Sequence, residues 1–373
     1  MTLPAWLREK KASARARYQQ DPSPKIKYGL TIRLSTKGLD LTDHAKQDSE
    51  HVITLEHENC EVHNLFDVLD HPLVQQYLLS TPVADRTAFD DFIDAEFDIG
   101  LAVFVPKGAS ATLDLTKTLT SQSFKEYIFV YAHTDSTLTI IDKYHSEHTA
   151  LRAGAVEIVC EENAKIRYAN IQALTQDAVE IASYRAQLIG NHSKVEWFTG
   201  TFGASLVHAN ADSQLIGEAS DAKSYGVFLG NNKQQFDLSA SSFHKGDHST
   251  SDMYTRGVLF DSAKAVYRGN IDIAADAFGC NGYQKEEVLL LSEKAVADAI
   301  PNLEIRNNDV KCSHGATIGR VDEEQLFYLK SRGIPQELAT KMIVEGFFEP
   351  LTTRLDWPEL FATLMPLVEE KLR

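Results

Sequence analysis

Residues Val156–Ile171, with the sequence VEIVCEENAKIRYANI, contain the unit that decides the fold. A short apolar run, Val156–Val159, leads into the turn Glu162–Ala164, and a second apolar run, Ile166–Ile171, follows it. β-Branched and aromatic residues on both sides of a small polar turn are typical of two short strands joined by a tight connection. The fold class therefore depends on how often this unit is repeated.

Turns of the same kind recur between residues 99 and 311. The first four contain Ala109, Ser136, Ala164 and Ser193, which lie 27 to 29 residues apart, and later turns near residues 263, 277 and 295 lie 14 to 18 apart. The strands are short and no long helix separates them, which argues against a doubly wound α/β sheet. This regular alternation favours a mostly β fold of the parallel β-helix type, with a sandwich or barrel as the alternative.

The residues before the repeats have a mixed, largely helical pattern. A basic amphipathic helix at the N-terminus ends before Pro22, and apolar residues at helical spacing follow between Leu65 and Phe97. The stretch between them is predicted to be a polar connection rich in His and Glu. We therefore assign residues 1–98 to an N-terminal, largely helical region and residues 99–311 to the β-helix core.

Residues 312–373 are predicted to form a C-terminal helical region. Asp322 is placed to cap a helix over Glu323–Ser331, and Gly333 supplies the left-handed residue that ends it. A second helix begins near Pro335 and a last one near Pro358. The apolar face expected for the second helix consists of Leu338, Met342, Ile343 and Phe347.

The charge balance is acidic, with 37 Lys and Arg against 53 Asp and Glu and a net charge of −16. This balance argues against nucleic-acid binding, which needs a basic face, and favours docking to other proteins. No apolar run approaches the roughly 18–20 residues of a membrane span, and the N-terminus has no apolar signal region. Four well-separated cysteines indicate a reducing compartment, so we expect a cytoplasmic protein.

Two sequence patterns are candidates for a metal site. His244 and His248 have an H-x3-H spacing, but their Gly and Ser neighbours favour histidines that are hydrogen-bonded or exposed. Cys312 and His314 are two residues apart, so in an extended segment they project from the same face. A thiolate beside an imidazole suits iron–sulfur or zinc chemistry. Because a structural site needs four ligands, the others come from elsewhere, or the pair is a packed cysteine and a turn histidine.

The sequence around this pair resembles a known family. Ile300–Asp322, IPNLEIRNNDVKCSHGATIGRVD, and Gln325–Ile334, QLFYLKSRGI, closely resemble the SufB/SufD family, the scaffold components of the SUF iron–sulfur cluster assembly system. Met253–Gly269, MYTRGVLFDSAKAVYRG, is similar as well. The resemblance implies a right-handed parallel β-helix flanked by N-terminal and C-terminal helical regions.

Two positions indicate the SufD-like branch of this family. SufB-like chains carry His-Glu where this chain has His314-Gly315, and they carry an essential cysteine at a position that falls near Glu286. Cys280 is close to that position but displaced from it. In the SufD-like branch the resemblance implies that the histidine contributes to a transient iron–sulfur cluster at a subunit interface. His314 is therefore the principal site residue, and Cys312 is a secondary one.

The resemblance also implies partners, namely the ABC-type ATPase SufC and a SufB-type subunit or a second copy of this chain. SufC then hydrolyses ATP, and this chain is a non-enzymatic subunit without a nucleotide of its own; flavin binding by the complex is left open. The family docks the ATPase through C-terminal helices, here residues 322–349, unless these side chains instead bury against the β-helix. The residues expected at that contact are Phe327, Tyr328, Ile334, Met342 and Phe347.

Two other functions stay open from the sequence. One is a purely structural or homodimeric interaction protein with no metal role. The other is a carbohydrate-active enzyme built on a β-helix, which needs paired carboxylates that face one site. The acids nearest to such a cluster are Asp237, Asp247 and Asp252. Because the acids are otherwise scattered along the chain, the scaffold function is preferred.

Overall fold

The structure, a computed structural model, describes residues 3–26, 29–36, 39–148 and 150–372. The fold is mostly β, with 46% of the described residues in strands and 22% in helices. The strands form a β-solenoid of about eight turns, and helices lie at both ends of the chain. The predicted parallel β-helix with helical flanks is confirmed, and the alternative of a sandwich or barrel is wrong.

The secondary structure alternates between the two sheets of the solenoid after residue 99. The strands are β1 (His51–Glu58), β2 (Glu61–Asn64), β3 (Ile99–Val105), β4 (Ser110–Leu119), β5 (Ser123–Ala132), β6 (Thr137–Ser146), β7 (Leu151–Cys160), β8 (Lys165–Ala173), β9 (Val179–Leu188), β10 (Lys194–Thr201), β11 (Leu206–Leu215), β12 (Asp221–Gly230), β13 (Gln235–His244), β14 (Thr250–Leu259), β15 (Lys264–Ile273), β16 (Cys280–Leu290), β17 (Val296–Ile305) and β18 (Val310–Arg320). The helices are α1 (Ala5–Tyr18), α2 (Leu41–Ala45), α3 (Pro72–Tyr77), α4 (Ala88–Glu96), α5 (Glu323–Ser331), α6 (Gln336–Leu355) and α7 (Pro358–Lys371), with a 3-10 helix at Leu65–Asp67.

Each turn of the solenoid places one strand in each of two sheets. Sheet A has the order β1-β4-β6-β8-β10-β12-β14-β16-β18, and sheet B has the order β17-β15-β13-β11-β9-β7-β5-β3-β2. Neighbouring strands are parallel, except that β1 pairs with β4 and β2 pairs with β3 in antiparallel fashion. Both antiparallel strands come from the segment predicted to be a polar connection, and that prediction was wrong. They cover the edge of the first coil in each sheet.

One corner of the solenoid explains the turn spacing seen in the sequence. A non-glycine residue with positive φ occupies this corner in five successive coils, and each donates its backbone N–H to a carbonyl of the next coil at 2.7–2.9 Å. The five residues are Asp135, Asn163, His192, Ala219 and His248. The left-handed backbone conformation costs a non-glycine residue about 1–2 kcal/mol. The hydrogen bond to the next coil offsets part of that cost. The repeat of 27 to 29 residues is therefore the length of one coil.

The helices lie on the outer faces of the two sheets. Phe89 and Phe92 of α4 belong to a hydrophobic cluster with Tyr127 and Phe129 on the outer face of sheet B. Helices α6 and α7 form a second cluster with the outer face of sheet A, where Phe198 is fully buried. The interior between the sheets is filled by a separate apolar cluster. The solenoid therefore forms a central layer between two helical layers.

The three C-terminal helices occupy the positions that the sequence predicts. Asp322 Oδ1 accepts hydrogen bonds from the N–H groups at 324 and 325, and Gly333 has a φ of 85°. The packing face predicted for α6 is wrong, because Leu338 and Met342 are exposed. This helix carries more apolar residues than one face uses. The residues that it buries are Ala339, Val344, Phe348, Leu351 and Leu355.

Candidate functional site

The last coil of the solenoid carries the predicted site. Strand β18 pairs with β16 on one side, and no strand in the described part of the chain pairs with its other edge. Strand β17 is likewise the last strand of sheet B. Because β18 extends to Arg320, Cys312 and His314 lie in the β-helix. The division of the chain at residues 311 and 312 was therefore placed too early.

The strand register sets the direction of the two site residues. Cys312 pairs with Gly282, and His314 pairs with Gln284. Gly282 and Gln284 are buried and face the interior, and partners in parallel strands share a face. A Cβ atom placed on Gly282 would lie 3.2 Å from Cys312 Sγ, so the thiol sits directly over this glycine. Cys312 and His314 thus share the inward face, as their spacing predicts.

The two side chains differ in exposure. Cys312 is half-buried, and this burial raises the pKa of its thiol, whereas His314 is exposed at the open end. The other three cysteines are buried. Within residues 3–26, 29–36, 39–148 and 150–372, no three His, Cys, Asp or Glu side chains are grouped so that they could hold a metal ion. The chain therefore offers an incomplete donor set, whose soft thiol and borderline imidazole suit iron.

Two polar side chains lie in the interior beneath the last strand. Gln284 lies under His314 in the register, and Glu286 lies under Ala316. Both side chains are buried, and burial raises the pKa of Glu286 well above its usual range. Gln284 Nε2 donates to the Asn302 carbonyl at 3.0 Å. From the sequence, Glu286 is notable only because SufB-like chains carry a cysteine near this position. Inward-facing polar residues at alternating positions of a strand were the available signal.

The five residues predicted to contact the ATPase fall into two groups. Phe327 is 73% exposed, Tyr328 56% and Met342 43%, while Ile334 is half-buried. Phe347 packs against sheet A instead, with the Arg256 guanidinium carbon 4.7 Å from its ring centre. The alternative of burial against the β-helix therefore holds for Phe347. The exposed members of the set remain accessible.

The two histidines considered as a metal site lie in different places: His244 in the solenoid core and His248 in a corner turn. His244 is buried, with its two ring nitrogens 2.9 Å and 2.8 Å from the hydroxyls of Ser249 and Ser251. Burial lowers the pKa of His244 to about 4. His248 occupies a left-handed corner and donates its N–H to the Phe278 carbonyl. These contacts match the expectation of hydrogen-bonded histidines.

The three acids nearest to a cluster in the sequence lie apart in the structure. Asp237 is on the outer face of sheet B, 2.6 Å from His208 Nδ1. Asp252 is on the outer face of sheet A, where its Oδ2 lies 3.0 Å from Arg354 Nη1. Asp247 is in a corner turn between them. A glycosidase needs two carboxylates that face one sugar, and these three do not provide such a pair.

Fold and site together define a class, namely parallel β-helices with helical layers on both sheets and a thiol and an imidazole on an open last strand. The sequence model of one family, described as "SUF system FeS cluster assembly, SufBD core domain", matches residues 115–347. This match covers more than half of the chain, and the chain belongs to that family. The resemblance to the SufB/SufD family is confirmed.

Curated relatives support the SufD-like branch. The iron–sulfur cluster assembly protein SufD of Bacillus subtilis is 27% identical over 365 residues, which cover 95% of this chain and 78% of that protein. Iron–sulfur cluster assembly SufBD family proteins of Staphylococcus saprophyticus and Staphylococcus aureus are 28% identical over 297 residues, or 76% of this chain. The chain spans 62% of these staphylococcal proteins, less than two thirds of their length.

The family gives this chain a role in iron–sulfur cluster assembly. None of the helices in the described ranges has the length and apolar character needed to cross a membrane.

Proposed function

We propose that this chain is the SufD-like scaffold subunit of a SufB–SufC–SufD complex and supplies His314 to a transient iron–sulfur cluster. The observation that supports this proposal most is the position of His314 and Cys312, side by side on the inward face of the open last strand. The subunit is non-enzymatic and acts in the cytoplasm. The cluster is its cargo, which leaves for an acceptor protein.

An open strand edge is a suitable place for a shared cluster. One edge of β18 is covered by no described strand, and the backbone N–H and C=O groups along it favour pairing with a strand of another chain. A SufB-type subunit, or a second copy of this chain, would bring further ligands to the incomplete donor set when it pairs there. Imidazole suits iron, and a cluster with few ligands from each subunit can be exchanged.

The C-terminal helices are proposed to bind the SufC-type ATPase. Phe327 and Tyr328 on α5 and Met342 on α6 are exposed apolar side chains, while other residues of α6 pack against sheet A. Apolar side chains on amphipathic helices are common anchors in protein contacts. ATP is hydrolysed by the partner, and this chain holds no nucleotide.

The structure offers a physical connection between these helices and the last coils. Arg256 on β14 donates to the Phe347 carbonyl of α6 and also pairs with Glu287 on β16. Strand β16 is the direct neighbour of β18. A shift of α6 on ATP binding by the partner would therefore act on the strand that supports His314.

Reconstitution of the complex tests the proposal. The chain is co-expressed with its SufB and SufC homologues, and anaerobic cluster formation is followed by absorbance for wild type and His314→Ala. His145→Ala is the matched control, because His145 is an exposed strand residue on the outer face of β6. A stable complex with a reduced cluster yield for His314→Ala alone supports the ligand role.

Two other outcomes contradict the proposal. A stable His314→Ala complex with an unchanged yield leaves the chain as a structural or homodimeric subunit without a metal role. Failure of the wild-type chain to form any complex with both homologues contradicts the proposed partners.

A further inference from the structure

A buried carboxyl group on the outer face of sheet B has an oxygen atom without a partner. Asp212 of β11 is 1% exposed. Its Oδ2 accepts a hydrogen bond from the Ala84 N–H at 2.8 Å, whereas its Oδ1 finds no donor among the described residues. Because natural proteins pair nearly all of their buried polar atoms, this unpaired oxygen needs a structural or functional reason.

Asp212 holds the connection between α3 and α4, which consists of residues 78–87. The first part of this connection is bound by Glu157 of β7, which accepts hydrogen bonds from the three N–H groups of residues 79–81 and from two hydroxyls. A carboxylate with so many donors is stabilised in its ionised form. The second part, residues 82–87, reaches Asp212 through the single N–H group of Ala84. The two acids that hold this connection are therefore very unequally supplied with donors.

None of the described cationic side chains forms an ion pair with Asp212. Its register partner on β9 is Arg185, but Nη1 of that side chain lies 2.8 Å from Asp94 of α4, and Nη2 lies 3.9 Å from Asp90. Its register partner on β13 is the neutral Ser241. Of the other charged groups on the surrounding elements, Asp85 is exposed and the rest have partners, namely Arg86 with Asp91 and Asp94, His208 with Asp237, and Glu157 with its five donors.

These surroundings favour the neutral form of the acid. Burial raises the pKa of Asp212 from an ordinary 3.8 to about 7, although the Ala84 N–H and the Ser241 hydroxyl act to lower it. The charge of Asp90 acts in the same direction as burial, and the charge of Arg185 acts against it. Protonation removes the buried charge and makes the carboxyl group a hydrogen-bond donor as well as an acceptor.

The connection is able to open beside this acid. A cavity of about 60 Å³ lies between the connection and sheet B, and both Ala84 and Ser241 line it. A space of this size holds several water molecules. Asp85 has a φ of 44°, a left-handed conformation that non-glycine residues adopt only at a cost. A movement of residues 82–87 away from the sheet would therefore hydrate an ionised Asp212 and relax the backbone at Asp85.

We propose that Asp212 is a pH-sensitive latch for the connection between α3 and α4: the protonated acid holds residues 82–87 on sheet B, and loss of its proton releases them. This latch does not depend on the proposed role in cluster assembly. Because the pKa of Asp212 is raised in the folded state, its stabilising effect is complete below pH 3.8 and is lost as the pH rises toward 7. Helix α4 follows these residues directly and packs with α1, so the release acts on the helical layer over sheet B.

Amide hydrogen exchange of the full chain, followed by mass spectrometry, tests the latch. After correction for the intrinsic exchange rate, the protection of residues 83–87 in wild type is expected to fall at least about tenfold between pH 5 and pH 7. Asp212→Asn keeps an acceptor for the Ala84 N–H and carries no charge, so its protection should stay constant over this range. Asp177→Asn is the matched control, because Asp177 is exposed in the turn before β9, and it should behave as wild type does.

Constant protection of residues 83–87 in wild type overturns the latch, and so does an equal loss of protection in wild type and Asp212→Asn. Thermal melting at pH 7 checks the folding of the variant, which is expected to melt above wild type because it carries no buried charge; a lower melting temperature counts against the latch. Carboxyl-carbon NMR of the wild-type chain needs no variant. An aspartate that titrates near pH 7 supports the latch, and ionisation of every aspartate below about pH 5 overturns it.

Discussion

Replacing Lys117 with methionine is expected to destabilise the β-helix from inside. Lys117 Nζ lies 2.7 Å from Glu126 Oε2 and 2.8 Å from Asp142 Oδ1, and all three side chains are buried. Methionine has a similar length but no charge. Glu126 keeps Arg152 as a partner, whereas Asp142 keeps only the hydroxyl of Tyr168 at 2.7 Å. The substitution therefore leaves a buried carboxylate without a cation.

Two estimates give the size of the effect. Removing one partner of a buried ion pair costs about 3–5 kcal/mol. Burial acts to raise the pKa of Glu126, but Lys117 and then Arg152 lower it from an ordinary 4.5 to about 2. A difference of this size corresponds to about 3 kcal/mol of native-state stabilisation. We expect a loss of about 3 kcal/mol, at the lower end of the range, because Arg152 remains.

Urea unfolding followed by circular dichroism measures this loss. The matched control is Lys143→Met, because Lys143 is partly exposed and lies 3.8 Å from Asp114; it should cost less than about 1 kcal/mol. The pKa of Glu126 is lower in the folded state, so its stabilisation is present above about pH 4.5 and is lost as the pH falls toward 2. The difference in free energy of unfolding between wild type and Lys117→Met should therefore become smaller as the pH falls from 4.5 toward 2. A difference below about 1 kcal/mol at pH 7, or a difference that stays constant as the pH falls, would contradict a stabilising role of Lys117.

Four further variants test other parts of the structure. Phe327→Ala should leave the melting temperature unchanged and weaken binding to the SufC-type ATPase about tenfold in a pull-down titration; unchanged affinity would remove α5 from the proposed contact. Gly190→Ala should destabilise the fold by about 3 kcal/mol, because its new Cβ would lie 2.0 Å from a backbone nitrogen of the preceding coil. Gly319→Ala meets no atom within 4 Å and should change stability by less than about 0.5 kcal/mol; equal effects of the two glycine variants would contradict the register. Asp298→Ala removes three hydrogen bonds to residues 31 and 32 and should speed amide exchange in residues 29–36, with a loss of about 2 kcal/mol.

The solenoid could be predicted because its corners repeat in the sequence. Asn163 and Asp135 are residue types that tolerate positive φ, and each sits beside a small residue and between two apolar runs. The strands β1 and β2 were missed because their outer positions are polar. Ile53 and Leu55 alternate on the inner side of β1, but two apolar residues in a His- and Glu-rich segment are a weak signal.

The site could be predicted only in part. The shared face of Cys312 and His314 follows from local geometry, because alternate residues of a strand point the same way. The position of Gln284 under His314 depends on how two strands thirty residues apart stack. That register is set by the length of the corner turns and by the packing of a whole coil. The sequence of either strand alone therefore does not determine it.

The two ends of the solenoid differ in whether their edge strands are covered, and this difference supports the proposed position of the site. A solenoid has an exposed strand edge at each end, and proteins usually cover such edges to avoid unwanted pairing. In this chain, β1 and β2 cover the first coil in both sheets. At the other end, no described strand covers β17 or β18. The edge that carries Cys312 and His314 is therefore the one that no described strand covers, which supports placing the proposed interface there. In the proposed complex, a strand from a partner subunit would pair with this open edge beside Cys312 and His314.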